Sequence, residues 1–225
     1  MTRSAARTTV LVSVAAAAAV YVLMLLGYRQ GWGWLAAVDS AALDASHDIG
    51  IKHPVWVRFW DGVSTVFEPA VFRLVAMAAV VAEVVRRRLR SALFLLVAVE
   101  MSGLLTVLAK GSVDRPRPVT ALAAATSSSF PSGHALGVTV GVGALLALTL
   151  PMLRRGARVA AVCASVLVVA AVGVARVALN VHHPSDVLAG WAMGWAYLVI
   201  WAVLLRPWRV DRPGPAPQDD LDDQL

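Results

Sequence analysis

The sequence predicts an all-α polytopic membrane protein, a six-transmembrane-helix bundle with short amphipathic interfacial helices in its first outer loop. Three observations predict it. Of 225 residues, 59% are hydrophobic and the mean hydropathy is +0.70, more apolar sequence than a soluble domain needs. Six apolar runs approach or reach the roughly 20 residues that a spanning helix requires. Lys and Arg gather in alternate loops between these runs.

The runs fall at about 9–27, 63–85, 91–109, 134–153, 159–179 and 187–205. The first follows "MTRSAART", a basic start like that of a signal peptide. Its apolar stretch is too long for a signal h-region and no small-residue cleavage site follows Gly27, so a retained anchor is expected. Arg73 and Arg176 fall within or at the end of a span. Of the other Lys and Arg residues, 12 lie in the N-terminus, 86–90, 154–158 and the C-terminal segment, against 6 in loops 28–62, 110–133 and 180–186. The richer set is expected in the cytoplasm together with both termini, and the three poorer loops outside a plasma membrane.

The first outer loop contains "WGWLAAVDSAALDASHDIG", with apolar residues at helical intervals and acids between them. Its tryptophans suit the membrane interface, so one or two short helices anchored there are expected rather than a lid. Residues 1–206 form the membrane domain. The segment "RPGPAPQDDLDDQL" is proline-rich and then acidic, and 207–225 reads as a disordered cytoplasmic tail. Cys163 is the single cysteine, which excludes an intramolecular disulfide, and it reads as a small packing residue. Glu100, in mid-span, reads as a buried hydrogen-bonded residue. The net charge of +6 sits in short loops between spans, a pattern that argues against nucleic-acid binding.

Three stretches break the apolar pattern, all in the loops assigned to the outer side: "KGSVDRPRP" from Lys110, "PSGH" from Pro131 and "ARVALNVHHPSD" from Ala175. A phosphate monoester carries about −1.5 to −2 charges near neutral pH. Lys110, Arg117 and Arg176 each end a span or follow one closely and could neutralise it, and the planar guanidinium fork suits phosphate oxygens. A helix start presents unpaired N–H groups that bind anions. At "PSGH", Ser132 can cap the helix or donate its hydroxyl, Gly133 leaves room for a phosphate, and His134 stands beside it; an ordinary capped helix start is the bland alternative. His182 can attack phosphorus if neutral and oriented by a carboxylate, and Asp186, four residues on, can reach back to it. His183 competes for that role, or serves as an interfacial histidine or helix cap. Zinc on the two histidines and Asp186 would need another ligand, and a basic pocket repels a cation.

The three stretches resemble the signature of the type 2 phosphatidic acid phosphatase family, the lipid phosphate phosphatases. Lys110, six residues and Arg117-Pro118 match its first motif, and Pro131 to His134 its second. Ala175-Arg176, five residues, His182, three residues and Asp186 match its third. The resemblance implies a metal-independent phosphohistidine mechanism without a cofactor. It makes His182 the nucleophile, Asp186 its orienting carboxylate and His134 the acid that protonates the leaving oxygen. Lys110, Arg117, Ser132, Gly133 and Arg176 become phosphate ligands. It selects His182 over His183 by spacing. One position departs: Ala175 stands where the family usually has serine.

The implied substrate is a lipid phosphate in the bilayer: a polyprenyl diphosphate, phosphatidic acid or phosphatidylglycerophosphate. A phosphotransferase or headgroup transferase would use the same scaffold. A transporter or a silent scaffold is the reading from another class. The first would be expected to carry mid-span charges, and the second to have lost motif residues, of which only Ala175 is a candidate.

Overall fold

The computed structural model describes residues 3–208, and the acidic tail expected to be disordered lies, from 209 on, outside the described residues. Among the described residues there are helices and no strands. The helices are α1 (Arg3–Arg29), α2 (Gly33–Lys52), α3 (Pro54–Val66), α4 (Pro69–Val85), α5 (Leu89–Leu95), α6 (Met101–Val113), α7 (Gly133–Thr149), α8 (Arg155–Ala178) and α9 (Pro184–Leu205). A π-helical turn, Leu96–Glu100, joins α5 to α6. Six segments are long and apolar enough to cross a membrane, and they match the six expected runs.

The second span differs in detail. A helix already begins at Pro54, and the chain breaks at Phe67-Glu68 before α4 restarts at Pro69. Proline at a first helical position loses no intrahelical hydrogen bond, so both starts suit it. The first loop also differs: α2 is one helix of 20 residues, docked against α8 and α9 as well as α3.

Two helices form the centre. Gly190 and Gly194 of α9 lie so close to α7 that an added Cβ would meet the Ser132 carbonyl oxygen at 2.6 Å and that of Leu136 at 2.9 Å. Small residues permit such backbone approach between membrane helices. Phe94, Leu95, Val99, Leu136, Val140 and Leu198 are buried around them. Outward surfaces are apolar instead of polar. Leu11, Val81, Leu104, Leu108, Val166 and Leu204 are all exposed, as lipid-facing residues should be.

Cys163 is exposed on α8, not packed inside as expected. Glu100 also departs from expectation. It is half-buried, and no hydrogen bond reaches its buried Oε1.

Candidate active site

Helix α6 ends because Asp114 takes a left-handed conformation (φ 48°), and prolines 116 and 118 prevent its resumption. The released chain runs across one end of the bundle to Ser132, which caps α7. The Ser132 N–H donates to the Asp186 carbonyl at 2.9 Å, which ties the start of α7 to the first turn of α9. The α8–α9 turn brings His182 to the same place, with Asn180 left-handed at φ 52°. All three motifs therefore meet at one end of the bundle.

Six of the eight predicted site residues, Lys110, Arg117, Gly133, His134, Arg176 and His182, line one cavity of about 500 Å³. Ser132 and Asp186 are buried and do not line it. The Ser132 hydroxyl accepts from the Ala135 N–H at 3.4 Å, a weak cap. Gly133 answers a packing need: a Cβ there would meet Thr106 Cγ2 at 2.9 Å, so its absence admits α6 as much as any phosphate.

The cations carry few carboxylate partners. Lys110 Nζ donates to the Ser127 hydroxyl at 3.1 Å and to the Ser128 carbonyl. Arg117 donates to the carbonyls of Ser127 and Val181, each at 2.6 Å. Arg176 donates to Ser64 Oγ at 2.7 Å, and its buried Nε has no partner. Their positive charge is thus left for whatever enters the cavity.

The orientation of His182 follows from its neighbours. Arg117 Nη1 lies 3.2 Å from His182 Nε2. A guanidinium has only donors, so Nε2 accepts and the ring proton sits on Nδ1. The Nε2 lone pair therefore points towards the cationic cavity. Nδ1 is 3.6 Å from Asp186 Oδ2, beyond a direct hydrogen bond, and 3.4 Å from Ser129 Oγ. Ser129 in turn donates to Asp186 Oδ2. The expected direct His182–Asp186 bond is replaced by a path through a serine hydroxyl. Burial pushes the His182 pKa down to about 4; the Asp186 carboxylate opposes this, and Arg176 and Arg117 reinforce it. The imidazole is neutral near pH 7, as a nucleophile requires.

His183 caps α9. Its backbone N–H donates to Asp186 Oδ2 at 2.9 Å, and its Nδ1 lies 3.1 Å from the same oxygen. It does not line the cavity. Ala175 is fully buried beside Arg176 and brings no hydroxyl there.

Sequence reasoning missed the support behind His182. Arg115 Nη1 donates to Asp186 Oδ1 and to Ser185 Oγ, each at 2.7 Å, and Nη2 donates to Asp39 Oδ2 at 2.9 Å. Asp39 comes from α2 and also accepts from the Ser185 N–H and hydroxyl at 3.0 and 2.6 Å. The first-loop helix is thus bolted to the site and is more than an interfacial anchor. A signal existed: Leu35, Asp39 and Leu43 are spaced i, i+4, i+8 on one buried stripe, while Asp44 and Asp48 are exposed. Among the described residues, no group of three or more His, Cys, Asp or Glu side chains could hold a metal ion.

The PAP2 superfamily model matches residues 91–210, which include all three motifs. No curated protein matches the chain in sequence. The fold is similar to that of a transmembrane PAP2-type phosphatidylglycerolphosphate phosphatase from Bacillus subtilis in its crystal structure. The two share 22% identity at a TM-score of 0.72, over 87% of this chain and 98% of the other.

Proposed function

The chain belongs to the PAP2 superfamily, and from that premise we propose that it is a membrane lipid phosphatase working through a phosphohistidine on His182. The observation that carries the reading is the aim of His182: Nε2 faces a cavity lined by Lys110, Arg117, His134 and Arg176, and Nδ1 is backed by Ser129 and Asp186.

In the first step the phosphate enters among the three cations and displaces Arg117 from the Nε2 lone pair. Nε2 forms a bond to phosphorus as the bond to the lipid oxygen breaks. His134 gives its proton to that oxygen, which leaves as an alcohol, or as a phosphate if the substrate is a diphosphate. The Nδ1–H of the phosphorylated ring stays directed at Ser129, and Asp186 balances the imidazolium charge. In the second step His134 takes a proton from water, whose oxygen bonds to phosphorus as the N–P bond breaks. Inorganic phosphate leaves and His182 is regenerated. The fixed cations stabilise charge that grows on the equatorial oxygens, so they act on the rate as well as on binding. No step calls for a metal ion.

The site faces the outside of the plasma membrane in this reading, because the Lys- and Arg-rich loops 86–90 and 154–158 lie at the opposite end of the bundle. Candidate substrates are phosphatidic acid, phosphatidylglycerophosphate and polyprenyl diphosphates. The test is phosphate release from these three lipids by the purified chain in detergent with EDTA present. Release from at least one at an undiminished rate is expected. Loss of all release under EDTA, restored by a divalent cation, would refute the metal-free mechanism. Sidedness is tested by single cysteines in a Cys163→Ala background. One in 119–129 should react with an impermeant thiol reagent on intact cells, and Ala157→Cys should not; the reverse pattern would put the site in the cytoplasm.

A further inference from the structure

Arg73 belongs to none of the three motifs. It stands four residues after Pro69, one turn into α4, and its guanidinium rests on α6. An added Cβ at Gly103 would meet its Nη2 at 2.6 Å and its Cζ at 3.1 Å. Its Nε is buried without a partner, and among the described residues no hydrogen bond or ion pair reaches the side chain. A guanidinium within a spanning segment is costly unless it meets a partner or reaches water, and such residues mark functional paths. Arg73 lines the cavity that holds Lys110, His134, Arg176 and His182.

Its depth is informative. Gly103 and Lys110 are seven residues apart on α6, so they share a face and stand about 10 Å apart along the axis. Arg73 therefore lies roughly two turns to the bilayer side of the Lys110 end of the cavity. Whatever it binds belongs to the part of the substrate nearer the acyl chains. Two phosphates sharing one oxygen are too close together to occupy both ends. Two phosphates separated by a short alcohol are better matched to that spacing.

We propose that Arg73 binds a second anionic group of the lipid, a phosphodiester that stays with the acyl chains after the terminal phosphate is removed. The preferred substrate class is then a lipid whose phosphomonoester is joined through a short alcohol to a phosphodiester. A lipid with a single phosphate on diacylglycerol leaves Arg73 unpaired in the membrane, and that unpaired charge discriminates against it. The proposal rests on the phosphatase reading and adds to it a residue that selects the substrate.

The test compares kcat/KM on phosphatidylglycerophosphate and on phosphatidic acid of the same acyl chains, with the full chain in nanodiscs. The wild type is expected to prefer the first. Arg73→Gln should lower that preference at least tenfold, mainly through KM on the first lipid, and Arg73→Lys should restore part of it. Gly103→Ala keeps the charge but forces the guanidinium to move, and it should also lower the preference, which guards against a glutamine variant that does not fold. Equal losses on both lipids, or an unchanged ratio, overturn the proposal. Binding of both lipids to the His182→Ala chain, with and without Arg73→Gln, reads the same preference without turnover. If the wild type hydrolyses neither lipid and no polyprenyl diphosphate, the phosphatase reading fails, and the binding ratio still decides the role of Arg73.

Discussion

The two ends of the bundle both carry arginines, and they use them differently. At the end away from the site, Arg86 and Arg88 lie 3.2 and 3.9 Å from Glu83, with guanidiniums largely in solvent. At the site end, Arg115 is buried between two buried carboxylates, Asp39 and Asp186. Arg117 and Arg176, which line the cavity, meet carbonyls, hydroxyls and an imidazole but, among the described residues, no carboxylate within hydrogen-bond distance. The difference teaches that charge is sorted by depth. Pairs whose arginines reach solvent adjust to it and cost little to lose. Behind the wall Arg115 offsets one of the two carboxylate charges, and the cations in front pair with neither carboxylate and keep their charge towards the cavity.

The sharpest way to break this contrast is Arg115→Ala. It leaves Asp39 and Asp186 buried and unpaired, and should destabilise the fold by about 3–5 kcal/mol in thermal or denaturant unfolding in detergent. A loss below about 1 kcal/mol would class Arg115 with the exposed pairs.

A second test reads the buried histidine directly. Burial holds the His182 pKa near 4, so its imidazole should stay neutral as pH falls, and protonate only as pH passes through about 4. Carbon-13 histidine NMR of the chain, with His182→Gln for assignment, should show the His182 ring unprotonated at pH 5.5. Titration of that ring near 6.5, the ordinary histidine value, would contradict the environment described here.

Ser129→Ala sharpens the comparison inside the site. It removes the hydroxyl between His182 Nδ1 and Asp186 without touching any charge. A loss of about 10- to 100-fold in kcat, or about 1–3 kcal/mol, is expected with little change in KM. Ser129→Thr, which keeps the hydroxyl, should recover part of it. An unchanged kcat would return the orienting role to Asp186 alone.

The smallest effect belongs to the far end. Glu83→Gln loosens two exposed arginines and should change stability by less than about 1 kcal/mol and leave kcat/KM unaltered. A larger loss would show that the ends differ less than their exposure suggests.

The parts legible in the sequence are those with a local signature. Length and hydropathy reveal a spanning helix, and fixed intervals reveal the motifs, so the six spans and the six motif residues that line the cavity could be read directly. Asp39, Arg115 and Ser129 depend on contacts far apart in the chain. Asp39 meets Arg115 and Ser185 across 76 and 146 residues, and Ser129 meets Asp186 across 57. Ser127, Ser128 and Ser129 look alike in sequence, yet of the three only Ser129 is buried. Arg73 is legible as a charge in an apolar run, but the sequence does not show what it faces. The helix break at Phe67-Glu68 and the contact with Gly103 give it a place that hydropathy cannot supply.

The central claim is that the phosphoryl group passes through Nε2 of His182. The most direct measurement is rapid acid-free quenching during turnover of a lipid labelled in its terminal phosphate, followed by peptide mapping of the protein-bound label. The account predicts an acid-labile, alkali-stable phosphate on His182, retained in His183→Ala and absent from His182→Ala, whose turnover is abolished. Label on His183 or on no histidine, or full turnover by His182→Ala, would contradict it.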